Sequence, residues 1–170
     1  LSVPDVPALA AADRPKVVNL SFGREGSCSP AEAELFSKLR RRGVLVVAPT
    51  GNSGGAVEAP ANCDDVFAVA AYGPGAERPL APYSNTTGTV DLVAPGGDMS
   101  GDTDGGLLML SGNARNGTAR REGSSLAAAY VSGTASLMWA ARPELTVGQV
   151  QDVLRSSGDT CAGCPAAALN

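Results

Sequence analysis

The 170-residue sequence contains no histidine. Serine hydrolases typically hand the serine proton to an imidazole, so any nucleophile in this chain cannot complete a Ser-His-Asp set by itself. The same absence weakens a zinc site: there is a single CxxC, Cys161-Ala-Gly-Cys164, and no imidazole to complete a tetrahedral ligand set. Aromatic residues are scarce at 4% while glycines number 21, which predicts a core of small side chains joined by tight turns. A concentrated positive charge is also missing. The net charge is −4, and Lys and Arg are scattered apart from Arg40-Arg41-Arg42 and Arg120-Arg121, which argues against a nucleic-acid partner. No apolar run reaches spanning length, the longest being interrupted by Gly133 and ended by Arg142-Pro143, so no membrane partner is expected. No signal peptide is recognisable, because Pro4 and Pro7 follow Leu1 at once; the chain is expected to begin inside a larger protein.

What is present is a globular composition, 44% hydrophobic and 18% charged, of a length that suits one domain. The four cysteines, Cys28, Cys63, Cys161 and Cys164, fit disulfides formed in an oxidising compartment. Of the three connectivities they allow, Cys28 with Cys63 and Cys161 with Cys164 is the expected one. A thioredoxin-like role fits poorly, since the CxxC follows a helix end instead of opening a helix.

Strand and helix patterns alternate along the chain. Val17–Ser21 is a short apolar strand. Ser29-Pro30-Ala31-Glu32 combines an N-cap serine, a proline at the first helical position and a capping-box glutamate, and the helix it opens stops at Gly43. Val44–Ala48 is continuously apolar, as a strand buried on both faces of a parallel sheet must be. Val66–Ala71 and Val90–Ala94 repeat the theme. Ser125–Ala141 is apolar nearly all round and is expected to be a buried helix, and Thr146-Val-Gly-Gln149 caps an amphipathic one ending near Gly158. The fold class is therefore α/β, a parallel sheet flanked by helices. Its buried strands need neighbours on both edges, and the chain supplies few.

Two places carry chemistry. Ser125 stands at the start of the apolar helix, where free N–H groups and the helix dipole favour a developing alkoxide and oxyanion. By itself this is weak, because serine is a common N-cap. Thr50-Gly51-Asn52-Ser53-Gly54 follows directly on the buried strand, at the carboxyl end where active sites of open α/β sheets gather, and the Asn52 amide can donate to an oxyanion. The plainer alternative is an asparagine supplying turn conformation.

Together with their flanks these segments resemble the subtilisin-like serine proteases, the subtilases. In the nucleophile motif G-T-S-M-A-x-P-x-V-x-G of that family, Gly123, Ser125, Ala127, Val131 and Gly133 match; in A-A-G-N-x-G, Gly51, Asn52 and Gly54; in N-x-S-[LF]-G, Asn19, Ser21, Phe22 and Gly23. Tyr83-Ser84-Asn85 and Val90–Gly96 look like the family's F-S-N and V-D-V-x-A-P-G, and Leu1–Pro7 and Cys161–Asn170 look like segments of secreted bacterial members. The resemblance implies a serine endopeptidase working through an acyl-enzyme without a required cofactor. Ser125 would be its nucleophile and Asn52 its oxyanion donor. Ser21, Phe22 and Gly23 would pair with substrate backbone, and Ala48, Pro49, Thr50 and Gly51 would line the pocket for the residue before the scissile bond. Pro60 matches a proline often cis in the family, and Glu58 is near enough in sequence to that pocket to favour basic residues there.

Residues 1–170 would then form the C-terminal portion of a single peptidase domain. The Asp strand and the His helix would lie upstream, together with a signal and propeptide. The partners implied are a peptide or protein substrate and the missing N-terminal part of the same domain, and the location is extracellular. The isolated chain is expected to be inactive. Three departures from the motif, Ser124 for Thr, Ala129 for Pro and Tyr130 for His, together with the missing histidine, keep open a non-catalytic, peptide-binding subtilase-like module. An α/β-hydrolase nucleophile elbow at Gly123-x-Ser125 is disfavoured, because that family needs a histidine after the serine. The loop holding Asp98, Asp102 and Asp104 could bind a structural calcium, as acidic loops in the family do, although a solvated acidic turn is the favoured reading. Asn85-Thr-Thr87 and Asn116-Gly-Thr118 fit glycosylation sequons, which matter only in a eukaryotic secretory host.

Overall fold

The computed structural model describes residues 15–112 and 117–169; the segment Leu1–Pro7 and the Asn116 sequon lie outside them. Four strands, β1 (Val17–Asn19), β2 (Leu45–Pro49), β3 (Val66–Tyr72) and β4 (Leu92–Pro95), form one parallel sheet in the order β1-β2-β3-β4. Its register pairs Val18 with Val46, Val47 with Phe67 and Ala70 with Val93. Side chains alternate across such a sheet. Leu45 and Val47 enter one core with Phe67, Val69, Leu92, Val131, Val150 and Leu154, while Val46 and Ala48 enter a second with Phe36, Val57, Val66 and Ala68. Helix α1 (Pro30–Arg41) contributes Phe36 to the second core, and α2 (Ser124–Ala141) and α3 (Val147–Ser156) cover the first. An antiparallel pair, β5 (Leu107–Leu110) and β6 (Thr118–Arg121), stands apart from the sheet. This is the expected α/β class.

Local chemistry sets the element ends. β1 stops at Asn19, two residues short of the expected strand, because the chain turns on itself where the Phe22 N–H donates to the Leu20 carbonyl (2.7 Å). β4 begins at Leu92 instead of Val90. There the Asp91 carboxylate, not a main-chain carbonyl, accepts the Ala68 N–H (2.7 Å), and it also accepts from Arg155 (2.6 Å). The largest correction concerns α2. Ala127, Ala128, Val131, Ala135 and Trp139 are buried against the sheet, but Tyr130 is 50% and Leu137 72% exposed. The helix is apolar all round and yet covered on one face only.

Both capping boxes form as read. Ser29 Oγ accepts the Glu32 N–H (3.3 Å) and Glu32 accepts the Ser29 N–H (2.7 Å), with Thr146 and Gln149 doing the same for α3. Hydrogen bonds from the Ser29 side chain and N–H, then the Arg24 guanidinium (2.5 Å), hold the Glu32 carboxyl down at about 2, from 4.5. A depressed carboxyl contributes stability above its unfolded pKa and loses it as pH falls through the folded one. The stability difference between the chain and Glu32→Gln, measured by urea unfolding, is therefore expected to be constant above pH 4.5 and to vanish between there and about 2.

Candidate active site

The α2 N-terminus meets the loop after β2 at the carboxyl end of the sheet. Gly123 caps the helix at φ 145°, a conformation closed to most residues with a Cβ. Its N–H is shared between the Gly96 carbonyl (2.9 Å) and the Tyr83 hydroxyl (3.0 Å), and that hydroxyl in turn lies 2.8 Å from the Gly97 carbonyl. Burial pushes the Tyr83 phenol pKa up, which keeps it a neutral donor. The first turn of the helix is thus tied to the loop after β4.

Ser124 and Ser125 divide the work. Ser124 is completely buried, and its N–H (2.9 Å) and hydroxyl (2.7 Å) both donate to Asn52 Oδ1. With its oxygen held in this way, the exposed Asn52 side chain has its Nδ2 left to donate elsewhere. A methyl group on Gly123 would lie 3.6 Å from that nitrogen, so the amide stands at the helix mouth on the same side as Ser125. Ser125 is half-buried; its Oγ donates to the Ser21 carbonyl (3.3 Å), while Ser21 Oγ donates to the Ser125 carbonyl (3.0 Å). The structure therefore brings together Ser125, Asn52 and the Ser21–Gly23 edge. Phe22 is exposed, and Gly23 has no backbone hydrogen-bond partner among the described residues.

The loop bearing Asn52 is held from behind by Asn85, a completely buried side chain. Its Oδ1 accepts from Ser53 N–H (2.8 Å), Ser53 Oγ (3.0 Å) and Gly55 N–H (2.9 Å). Its Nδ2 donates to the carbonyls of Thr50 (3.2 Å) and Ala56 (2.8 Å) and to Glu58 Oε1 (3.2 Å). Gly51 has φ 113°, and a methyl there would come within 2.2 Å of Asn85 Nδ2. This role of Asn85 is not legible in the sequence around it. The nearest hint was its place in the F-S-N-like motif, where Tyr83 adds a hydroxyl to the motif's phenylalanine. Burial also removes Asn85 as a glycosylation acceptor in the folded chain.

Some expected residues fall elsewhere. Ala48, Pro49, Thr50 and Gly51 are all buried, Ala48 and Thr50 completely, and the segment leads directly into the exposed Asn52. Ala129, one helical turn after Ser125, and Tyr130 line a cavity of about 450 Å³ with Leu108, Met109 and Leu137. Asp98, Asp102 and Asp104 are not gathered around one point. Asp98 accepts from Ser100, Asp102 caps a single 3-10 turn by accepting the Asp104 N–H (2.9 Å), and Asp104 pairs with Arg120 (3.1 Å), so the loop does not fit a calcium cage. Cys28 is bonded to Cys63 and Cys161 to Cys164, as expected, and the Ala59-Pro60 bond is cis. Cys28, Cys63 and Glu32 lie close together, but the two thiols are spent in a disulfide and Glu32 in a helix cap, so they make no metal site.

A serine at a helix mouth, an asparagine pinned beside it and the Ser21–Gly23 segment thus lie together at the carboxyl end of the sheet. The chain belongs to the subtilase family, whose model matches residues 6–164. It is similar to an extracellular basic protease of Dichelobacter nodosus, with 33% identity over 82% of this chain and 23% of that protein. An extracellular protease of Xanthomonas campestris is 32% identical over 95% of this chain and 28% of that protein. Among solved structures, a protease of Pseudoalteromonas arctica superposes with a TM-score of 0.83 at 30% identity, covering 99% of this chain and 52% of that one. The chain thus spans about a quarter of the length of these curated relatives and about half of the solved structure, as a partial domain does. No helix among the described residues is long and apolar enough to cross a membrane.

Proposed function

We propose that this chain supplies the nucleophile and the oxyanion hole of an extracellular serine endopeptidase. Ser125 Oγ attacks the scissile carbonyl, and the Asn52 amide with the Ser125 N–H receives the oxyanion. The substrate backbone lies along Ser21–Gly23 as an added strand. The observation that carries this reading is the double hydrogen bond from Ser124 to Asn52 Oδ1, which aims a donor at the helix mouth before any substrate arrives. The extracellular assignment rests on the relatives' names and on the two disulfides.

The base comes from outside the chain. With no histidine in the sequence, Ser125 Oγ rests on a carbonyl oxygen, which cannot accept its proton in catalysis. Two surfaces support a second polypeptide portion as the source: the outer edge of β1, which among the described residues pairs only with β2, and the apolar face of α2 that the described residues leave uncovered. We assign both to the remaining portion of a subtilase domain, bearing its aspartate strand and histidine helix.

A fluorophosphonate probe, which labels only an activated serine, tests this. The chain alone is expected to stay unlabelled. Mixed with a polypeptide carrying a subtilase's aspartate strand and histidine helix, it is expected to label at Ser125, and Ser125→Ala to abolish the label. A complex that forms but leaves Ser125 unlabelled would favour the non-catalytic, peptide-binding module.

A further inference from the structure

We infer that Glu58 makes the substrate pocket a receptor for a basic side chain, so that arginine or lysine supplies the carbonyl that Ser125 attacks. This rests on the endopeptidase reading above and names its substrate class.

Glu58 follows the Asn52 loop and is anchored to it, its N–H donating to the Thr50 carbonyl (3.0 Å). From there its side chain reaches back between two glycines. A methyl on Gly51 would lie 2.8 Å from Glu58 Cδ and 2.9 Å from Oε1, and a methyl on Gly23 would lie 3.0 Å from Oε2. The carboxylate therefore fills space that only two glycines leave free. It stands between the Ser21–Gly23 edge and the Gly51-Asn52 turn, the two segments between which the side chain before the scissile bond must pass.

No described residue neutralises it. Oε1 accepts one neutral hydrogen bond, from Asn85 (3.2 Å), and among the described residues Glu58 forms no salt bridge. Arg24, the cation nearest in sequence to the Gly23 wall, is turned to Glu32. Glu58 also borders a cavity of about 430 Å³ whose walls include Glu25, Ser27, Ser53 and Asn62 and no Lys or Arg. Two carboxylates with hydroxyl and amide neighbours suit a guanidinium or ammonium. An acidic side chain would meet like charge, and an apolar one would leave the carboxylate poorly solvated.

The test uses three blocked peptides, acetyl-Ala-Ala-Pro-Xaa-amide with Xaa arginine, leucine or glutamate, titrated calorimetrically into the 170-residue chain and its Glu58→Gln variant. The arginine peptide is expected to bind tightest, by about tenfold to a hundredfold over leucine, the worth of one hydrogen bond to a charged group. Glutamate is expected to bind weakest. In Glu58→Gln the arginine advantage over leucine is expected to disappear, and a circular-dichroism spectrum and urea midpoint matching the wild type show that the variant is folded. Equal binding of all three by the wild type, or an arginine preference that survives the substitution, would overturn this inference and leave the endopeptidase reading standing. Failure of every peptide to bind would overturn both.

Discussion

Replacing Asn52 with leucine is expected to lower turnover of the assembled enzyme by roughly 10²–10³-fold with little change in KM. The magnitude is that of the oxyanion asparagine in subtilisin, a member of this family, and is carried over to this chain. The direction follows from the geometry. Oδ1 is occupied by Ser124, so the amide nitrogen is the part of Asn52 with a free role, and in the proposed mechanism it donates to an oxygen that becomes charged only after attack. Leucine keeps the volume and removes the donor, so ground-state binding along Ser21–Gly23 survives while the transition state loses a hydrogen bond. Ser124→Ala is expected to produce a smaller loss in the same direction, because Asn52 keeps the Ser124 N–H but loses its hydroxyl anchor. Steady-state kinetics on a peptide ester checks both; a drop below about tenfold in Asn52→Leu would remove Asn52 from the oxyanion hole.

The largest expected loss of stability is that of Asn85→Ala. Six hydrogen bonds converge on this side chain, and removing it strands the Ala56 carbonyl and the Ser53 and Gly55 N–H groups around a cavity, while the Thr50 carbonyl keeps only the Glu58 N–H. Net worth per bond is only about 1 kcal/mol, but stranded buried partners cost more, so a loss of about 3 kcal/mol or more is expected. Asn85→Asp is expected to be nearly as damaging, because it trades a donor for an acceptor facing two carbonyls and the Glu58 carboxylate. Urea unfolding measures this, and a loss under about 1 kcal/mol would show that the loop is held by other means. Since Asn85 holds the loop that presents Asn52, fluorophosphonate labelling of the assembled complex is expected to fall in parallel.

Both variants bear on how much could be read before the fold was seen. The capping boxes at Ser29 and Thr146 and the apolar strand around Val46 were legible because each is a local pattern with a local cause. Ser125 and Asn52 were legible as a pair only through several ordered motifs, since a serine opening a helix and an asparagine in a turn are common apart. What escaped depended on distant partners. Nothing near Asn85 in sequence distinguishes a buried six-bond hub from a sequon, because its partners lie 27 to 35 residues away. The apolar outer face of α2 misled for a related reason: composition says that a helix wants to be covered, not that its cover belongs to the same chain. The acidic loop shows the converse, three carboxylates close in sequence whose turns and ion pair carry them apart.

The central claim is that Ser125 and the Asn52 amide face one shared point. A crystal structure of the assembled complex, the chain together with a polypeptide carrying the aspartate strand and histidine helix, with a peptide boronate tests it most directly, because boron bonds to an activated serine oxygen and presents its own oxygen where the oxyanion would lie. The account predicts a bond to Ser125 Oγ, with a boronate oxygen about 2.7–3.1 Å from both Asn52 Nδ2 and the Ser125 N–H. An adduct whose oxygen points away from Asn52, or boron bound to a different residue, would contradict it.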